Sequence, residues 1–295
     1  MAQFEANPEA LGSSVSTPSP YPLTLAVSQV CTLNAEFETD VADFAAAHCG
    51  AIEIWWGKLE TYLETHSLDD VRRLLGDSGM AAPVASYQGG LLTSQGDARR
   101  EHWDHFRRRL AIAKELAIGT LVVAGDVEGP LSQEDFERLR VSLRQAADEA
   151  GGAGVRLALE FQARAAIPNN LQSAAALVAD CNSPNLGICL DLFHYTTGPS
   201  KPEDLAHLSA ENLFHVQLCD MAGPLRELAT DADRILPGDG EFSLEPLVAR
   251  LREINYTGAV SIELMNPQLW AVPPRQFGEV AITALRRVLG LASMD

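Results

Sequence analysis

The chain has 295 residues, 46% of them hydrophobic, which is enough for a sizeable core, and it contains no uninterrupted apolar run long enough to cross a bilayer. A formal charge of -18 and a pI near 4.7 give a surface that repels phosphate backbones and anionic lipid, so neither nucleic acid nor a membrane is the expected partner. The five cysteines, odd in number and without a C-x-x-C pair, fit a reducing cytoplasm better than a disulfide framework.

The first segment, residues 1–22 (MAQFEANPEALGSSVSTPSPYP), lacks the basic-then-apolar order of a secretion signal. Its Ser, Pro and Glu content predicts a short flexible, disordered tail. From Leu23 to residue 295, strand-like runs alternate with helical ones, which predicts a single domain. The strand-like runs are LTLAVSQVC (23–31), AIEIWW (51–56), APVASYQ (82–88) and GTLVVAG (119–125). They continue with VRLALEF (155–161), LGICLDLF (186–193), LFHVQLCD (213–220) and GAVSIELM (258–265). Between them lie segments with helical periodicity, such as FETDVADFAAAH, SQEDFERLRVSLRQAADEA and LEPLVARLREI. Ser67 and Ser132 stand at N-cap positions, and Ser132 has Asp135 three residues on. Eight strand–helix alternations imply a parallel sheet with crossover helices. The expected fold is α/β, a closed (β/α)8 barrel rather than two doubly wound domains. No Gly-rich phosphate fingerprint follows an early strand, which argues against a dinucleotide site.

Strand residues alternate between the barrel interior and the helix layer. Over the last four strands, one face is expected to carry bulky apolar residues: Leu157, Leu159 and Phe161; Ile188, Leu190 and Leu192; Phe214, Val216 and Leu218; Val260, Ile262 and Leu264. The other face is small or polar and ends in Glu160, Asp191, Gln217 and Glu263. These four are expected to converge at the C-terminal mouth, where barrel active sites are built. Three carboxylates gathered without a counter-charge repel one another, and a divalent cation resolves the conflict. Carboxylate and amide oxygens suit a hard octahedral ion, Mn²⁺, Mg²⁺ or Co²⁺. Gln217, an amide in the middle of an apolar strand, is then expected to lend a neutral oxygen as the fourth ligand.

At these positions the sequence resembles the xylose isomerase-like TIM-barrel superfamily, especially its sugar phosphate isomerase/epimerase branch. The motifs are LALEF with Glu160, CLDLFH with Asp191 and His194, and HVQLCD with Gln217, followed by RILPGDGEF with Arg234 and SIELMNPQLW with Glu263. The resemblance implies a TIM barrel in which two strand-end glutamates, the aspartate and a residue of the seventh strand hold one divalent metal. It also implies that Glu160 and Glu263 act as acid and base. Many relatives with epimerase activity carry histidine where Gln217 stands; the glutamine resembles the dehydroshikimate dehydratase branch. Apurinic endonucleases of the same superfamily need a basic groove that this acidic chain lacks.

The expected chemistry is isomerisation or epimerisation of a sugar or keto-polyol, by proton removal beside a polarised carbonyl. The alternatives are a lyase that dehydrates a cyclic keto acid or keto-inositol, and a non-catalytic sugar-binding barrel. His194, three residues past Asp191, is expected to hydrogen-bond a metal-bound hydroxyl or help shuttle a proton. Arg234 is expected to hold the substrate through forked hydrogen bonds. Trp55 is expected to offer an aromatic wall to a sugar's C–H face, and Gln88, like its neighbour Tyr87, is a weaker contact candidate. His215 reads as a satisfied core histidine and Asp220 as a loop organiser. A homo-oligomer stays open.

Overall fold

The computed structural model describes residues 23–291, so the flexible-tail expectation for 1–22 lies outside the described residues. Eight parallel strands close into one barrel, paired in chain order from β1 to β8, with β8 returning to β1 through Thr24↔Ala259 and Leu25↔Val260. The strands are β1 (Thr24–Ser28), β2 (Ala51–Trp55), β3 (Ala81–Gln88), β4 (Thr120–Ala124), β5 (Arg156–Glu160), β6 (Leu186–Asp191), β7 (Leu213–Leu218) and β8 (Ala259–Ile262). The helices among the described residues are α1 (Phe37–Ala46), α2 (Trp56–Leu63), α3 (Leu68–Asp77), α4 (Gly96–Glu115), α5 (Gln133–Gly152), α6 (Leu171–Cys181), α7 (Leu192–Thr197), α8 (Leu244–Glu253) and α9 (Pro274–Leu289). Among those residues no helix is long and apolar enough to cross a membrane.

The helices form where periodicity and caps agree. In α5 the buried positions Leu139, Leu143, Ala146, Ala147 and Ala150 recur at three- and four-residue spacing and so line one face. Each fully buried leucine contributes roughly 1.5–3 kcal/mol. Ser132 accepts from the backbone of Asp135, whose carboxylate answers the Ser132 N–H, and Ser67 with Asp70 repeats the arrangement at α3. Two short helices were not expected. Trp56 opens α2 and Leu192 opens α7, although the apolar runs AIEIWW and LGICLDLF continue through both residues.

The main apolar core lies between sheet and helices, and a second, smaller cluster plugs the lower barrel: Val84, Val122, Ala158, Cys189, Phe214 and Ala259. Phe214 corrects the expected alternation. The β6–β7 register shifts between Ile188↔Leu213 and Cys189↔His215, so one extra residue turns inward there and the ring of Phe214 enters the barrel. Gly187 makes the room, since a Cβ at that position would stand 2.5 Å from the ring. Beyond the bulge, Val216 and Leu218 face the helix-side core as expected, while His215 and Gln217 point inward. All five cysteines are buried and free.

Candidate metal centre

Above the apolar plug the barrel interior becomes polar. Glu160 ends β5, Asp191 ends β6, Gln217 lies in β7 and Glu263 follows β8 directly; they are 6%, 0%, 1% and 6% exposed. Register places them side by side, with Asp191 paired to Gln217 and Gln217 to Ser261. Asp191 also caps α7 by accepting from Phe193 N at 2.8 Å, which sets His194 one turn above it. His194 Nε2 stands 3.7 Å from Asp191 Oδ2 and 4.0 Å from Glu160 Oε1. Potential ligand atoms of Glu160, Asp191 and His194 all lie within 4.8 Å of one another.

Arg234, 1% exposed, is the cation of this cluster. Nη2 donates to Asp191 Oδ2 at 2.7 Å and Asp231 Oδ1 at 2.8 Å, and Nε donates to Asp231 Oδ1 at 3.0 Å. Nη1 meets Glu263 Oε2 at 3.2 Å and the Glu263 carbonyl at 3.5 Å. The guanidinium lies over the Phe193 ring, 4.4 Å from its centroid. Its five N–H groups are therefore committed to the protein, and the expected fork toward substrate is not available. The loop that brings Arg234 here is organised by Asp220, whose carboxylate accepts from Met221 N, Gly238 N and Phe242 N.

Glu53, on β2 and fully buried, was not foreseen. One carboxylate oxygen accepts from Gln217 Nε2 at 2.9 Å and from Ser86 Oγ; the other accepts from His215 Nε2 at 3.1 Å and from Ser261 Oγ. The signal was in the sequence, because alternation along AIEIW puts Ala51 and Glu53 opposite Ile52 and Ile54. Asp231, also unforeseen, sits in a loop that carries no such periodic signal.

Gln217 stands with its amide nitrogen toward the acids: Nε2 donates to Glu263 Oε1 at 2.8 Å and to Glu53, while Oε1 accepts from the Cys189 thiol at 3.1 Å. An ionised Glu53 only accepts, so the nitrogen is the end that satisfies it. Burial pushes the Glu160 carboxyl up to about 8, with Asp191 adding to it, and lifts Glu263 well above the usual range against the pull of Arg234. Glu53 goes the other way: burial opposes its charge, but His215 and the two hydroxyl donors together outweigh it and hold its carboxyl low. Burial also lowers the His194 imidazole.

The interior thus gathers Glu160, Asp191 and Glu263 beside one arginine, three buried groups with hard oxygen donors. That donor set suits a divalent cation, and it passes the test of chemistry for such an ion. A cavity of about 260 Å³ opens over the cluster, walled by Glu160, His194, Asp231, Arg234 and Glu263 and by the aromatic pair Trp55 and Tyr87, whose ring centroids are 5.5 Å apart. Trp55 thus lines the cavity at the end of β2. Gln88 does not line the wall: it is 2% exposed, donates to Gly89 O at 2.8 Å and accepts from Arg109 Nη1 at 3.3 Å. The β3–β4 register shifts between Ala85 and Gln88, and Ser86 and Tyr87 face the cavity instead.

Several known proteins resemble this chain in sequence and fold. An inosose isomerase from Halalkalibacterium halodurans is 28% identical over 217 residues, covering 72% of this chain and 77% of its own. A 3-dehydroshikimate dehydratase from Pseudomonas aeruginosa is 31% identical over 261 residues, 84% of this chain; the chain spans only 38% of that protein's length. The crystal structure of IOLI protein with a zinc atom superposes with a TM-score of 0.86 at 24% identity, over 92% of this chain and all of that one, and D-psicose 3-epimerase with D-fructose reaches 0.73 at 20%, over 91% and 100%, likenesses of fold. The sequence profile of the xylose isomerase-like TIM barrel matches residues 41–286, and the chain belongs to that family.

Proposed function

We propose that the protein is a divalent-metal-dependent isomerase or epimerase of a neutral sugar or keto-polyol. The observation that carries this reading is the convergence of Glu160, Asp191 and Glu263 beneath a cavity whose one arginine has no donor left for substrate. Glu160, Asp191 and Glu263 would hold the ion, Mn²⁺, Mg²⁺ or Co²⁺, or the zinc that the IOLI protein binds; Gln217, whose nitrogen faces Glu263 and whose oxygen faces the Cys189 thiol, would support Glu263 instead of serving as the expected fourth ligand. When bound, it supplies Lewis acidity at the substrate carbonyl and so acidifies the adjacent C–H.

The chain's own residues do the rest. Glu160 and Glu263 come from non-adjacent strands and flank the cavity, so one carboxylate removes a proton from carbon and the same or the opposite one returns it. Return at the same carbon's other face gives an epimer, and return at the neighbouring carbon gives an isomer. His194 Nε2, beside both Asp191 and Glu160, bonds a substrate hydroxyl and passes its proton. Trp55 packs against the C–H face of the ring and sheds water from it. Five free, buried cysteines support a reducing, cytoplasmic setting.

A second reading, a lyase that expels a β-hydroxyl, is favoured by the amide at position 217 and by the dehydratase relative. The committed donors of Arg234 weigh against a carboxylate-bearing keto acid and leave a keto-inositol as its substrate.

The test begins with calorimetric Mn²⁺ titration of the wild type and Glu263→Ala. Near-stoichiometric binding, lost in the variant, is expected. Incubation with keto-sugars and keto-inositols in deuterated water should then place one deuterium on carbon. Growth of conjugated-enone absorbance would transfer the assignment to the lyase. Metal binding with no exchange across the panel would leave a non-catalytic sugar-binding barrel.

A further inference from the structure

We propose that Glu53 is a positioning residue: it fixes which end of the Gln217 amide faces the acids, and through Gln217 it fixes the carboxylate of Glu263. This rests on the metal centre proposed above and adds a residue that does not itself touch the ion.

Glu53 is held from three strands besides its own. Ser86 of β3, His215 and Gln217 of β7 and Ser261 of β8 all donate to it, and every one of them is at most 1% exposed. Four donors fill the roughly four lone-pair sites of a carboxylate, so Glu53 has no second orientation that keeps its bonds. It is a fixed acceptor inside the barrel.

The two ends of the Gln217 amide are held very unequally. Its nitrogen donates to two carboxyl groups, Glu53 at 2.9 Å and Glu263 at 2.8 Å, and the bond to the ionised Glu53 is charge-assisted. Its oxygen has the Cys189 thiol at 3.1 Å, a weak donor. Turning the amide end over would set oxygen against the oxygens of Glu53 and Glu263 and take from both buried groups the N–H they accept from. The nitrogen is therefore tied down between Glu53 and Glu263, and the oxygen, turned toward Cys189, is the loosely held end. Without Glu53 the amide keeps a single acidic anchor, Glu263, and the Glu263 carboxylate is left to the one bond from Arg234 Nη1 at 3.2 Å and an amide that no longer has a fixed partner.

The alternative is that Glu53 merely staples β2, β3, β7 and β8 together. A double-variant cycle separates the two, read by Mn²⁺ calorimetry on the full chain with wild type, Glu53→Gln, Gln217→Ala and the pair. Glu53→Gln retains one acceptor oxygen for four donors, and loss of such support for a metal ligand lowers affinity about 10- to 100-fold. If Glu53 acts through Gln217, the pair binds Mn²⁺ no more than about twofold more weakly than Gln217→Ala alone. Unchanged affinity in Glu53→Gln, or its full loss added again in the Gln217→Ala background, would overturn the proposal. Should Glu53→Gln fail to fold, Glu53→Asp, which keeps the charge and shortens the reach, enters the same cycle with the same expectation. A wild type that binds no Mn²⁺ overturns the metal centre together with this inference, whereas a wild type that binds while Glu53 stays uncoupled overturns this inference alone.

Discussion

Arg234 is where the charge of the site is decided. It joins carboxylates from three separate segments, Asp191 at the end of β6, Asp231 in the loop after β7 and Glu263 beyond β8. Two of these, Asp191 and Glu263, are at most 6% exposed. Removing one partner of a buried ionic cluster strands the others, a loss of about 3–5 kcal/mol. Arg234→Met, which keeps the bulk over Phe193, is therefore expected to lower stability by about that amount in urea unfolding. A loss below about 1 kcal/mol would show that the carboxylates shed their charge instead of relying on the arginine. The sequence made Glu160, Asp191, Gln217 and Glu263 legible because strand alternation repeats one pattern four times. Glu53 obeys the same alternation but stands alone on β2, away from that repetition. The committed state of Arg234 was not legible at all, since it depends on Asp231, whose position follows from loop geometry.

At the scale of elements, the helices whose ends carry side-chain signals are the ones the sequence delimits best. Ser132 opens α5 with a reciprocal bond to Asp135, so Ser132→Ala is expected to cost about 1 kcal/mol in chemical denaturation. A loss indistinguishable from zero would mean that burial of Leu139 and Leu143 alone sets the start of α5. Each of the eight strands lies within or close to its expected run, but the ends differ where backbone hydrogen bonding stops before the apolar pattern does. β1 gives way to a 3-10 turn at Gln29, and β6 yields to α7 because Asp191 caps it. The bulge at Phe214 was hidden for another reason: LFHVQL alternates well enough that an inserted residue leaves no mark, and the clue sits on the neighbouring strand as Gly187. A Cβ there would lie 2.5 Å from the Phe214 ring and 2.7 Å from Asn212 O. Gly187→Ala should therefore destabilise the barrel by about 1–3 kcal/mol, the range for overpacking. Wild-type stability in that variant would mean that β6 and β7 slide apart freely at the bulge.

Across the whole molecule, closure of the sheet and the sign of the charge act together. The closed barrel leaves no sheet edge among its eight strands and directs the polar strand ends to one mouth. A chain of net charge -18 carries a negative field overall, and the cavity wall itself sets Glu160, Asp231 and Glu263 against Arg234. Such a field concentrates divalent cations and repels anionic substrates. Salt screens it, with a Debye length of about 10 Å at 0.1 M and about 3 Å at 1 M. Mn²⁺ affinity should therefore fall several-fold between low salt and about 0.5 M NaCl, as charges beyond the contacting carboxylates are screened. The KM for a neutral keto-polyol in the metal-saturated protein should hardly change over the same range. Calorimetry at several salt concentrations, alongside exchange kinetics at saturating metal, checks both. A KM that changes strongly with salt would mean that the substrate carries charge. The neutral-substrate reading would then give way to one in which an anion must find a cation outside the committed guanidinium of Arg234.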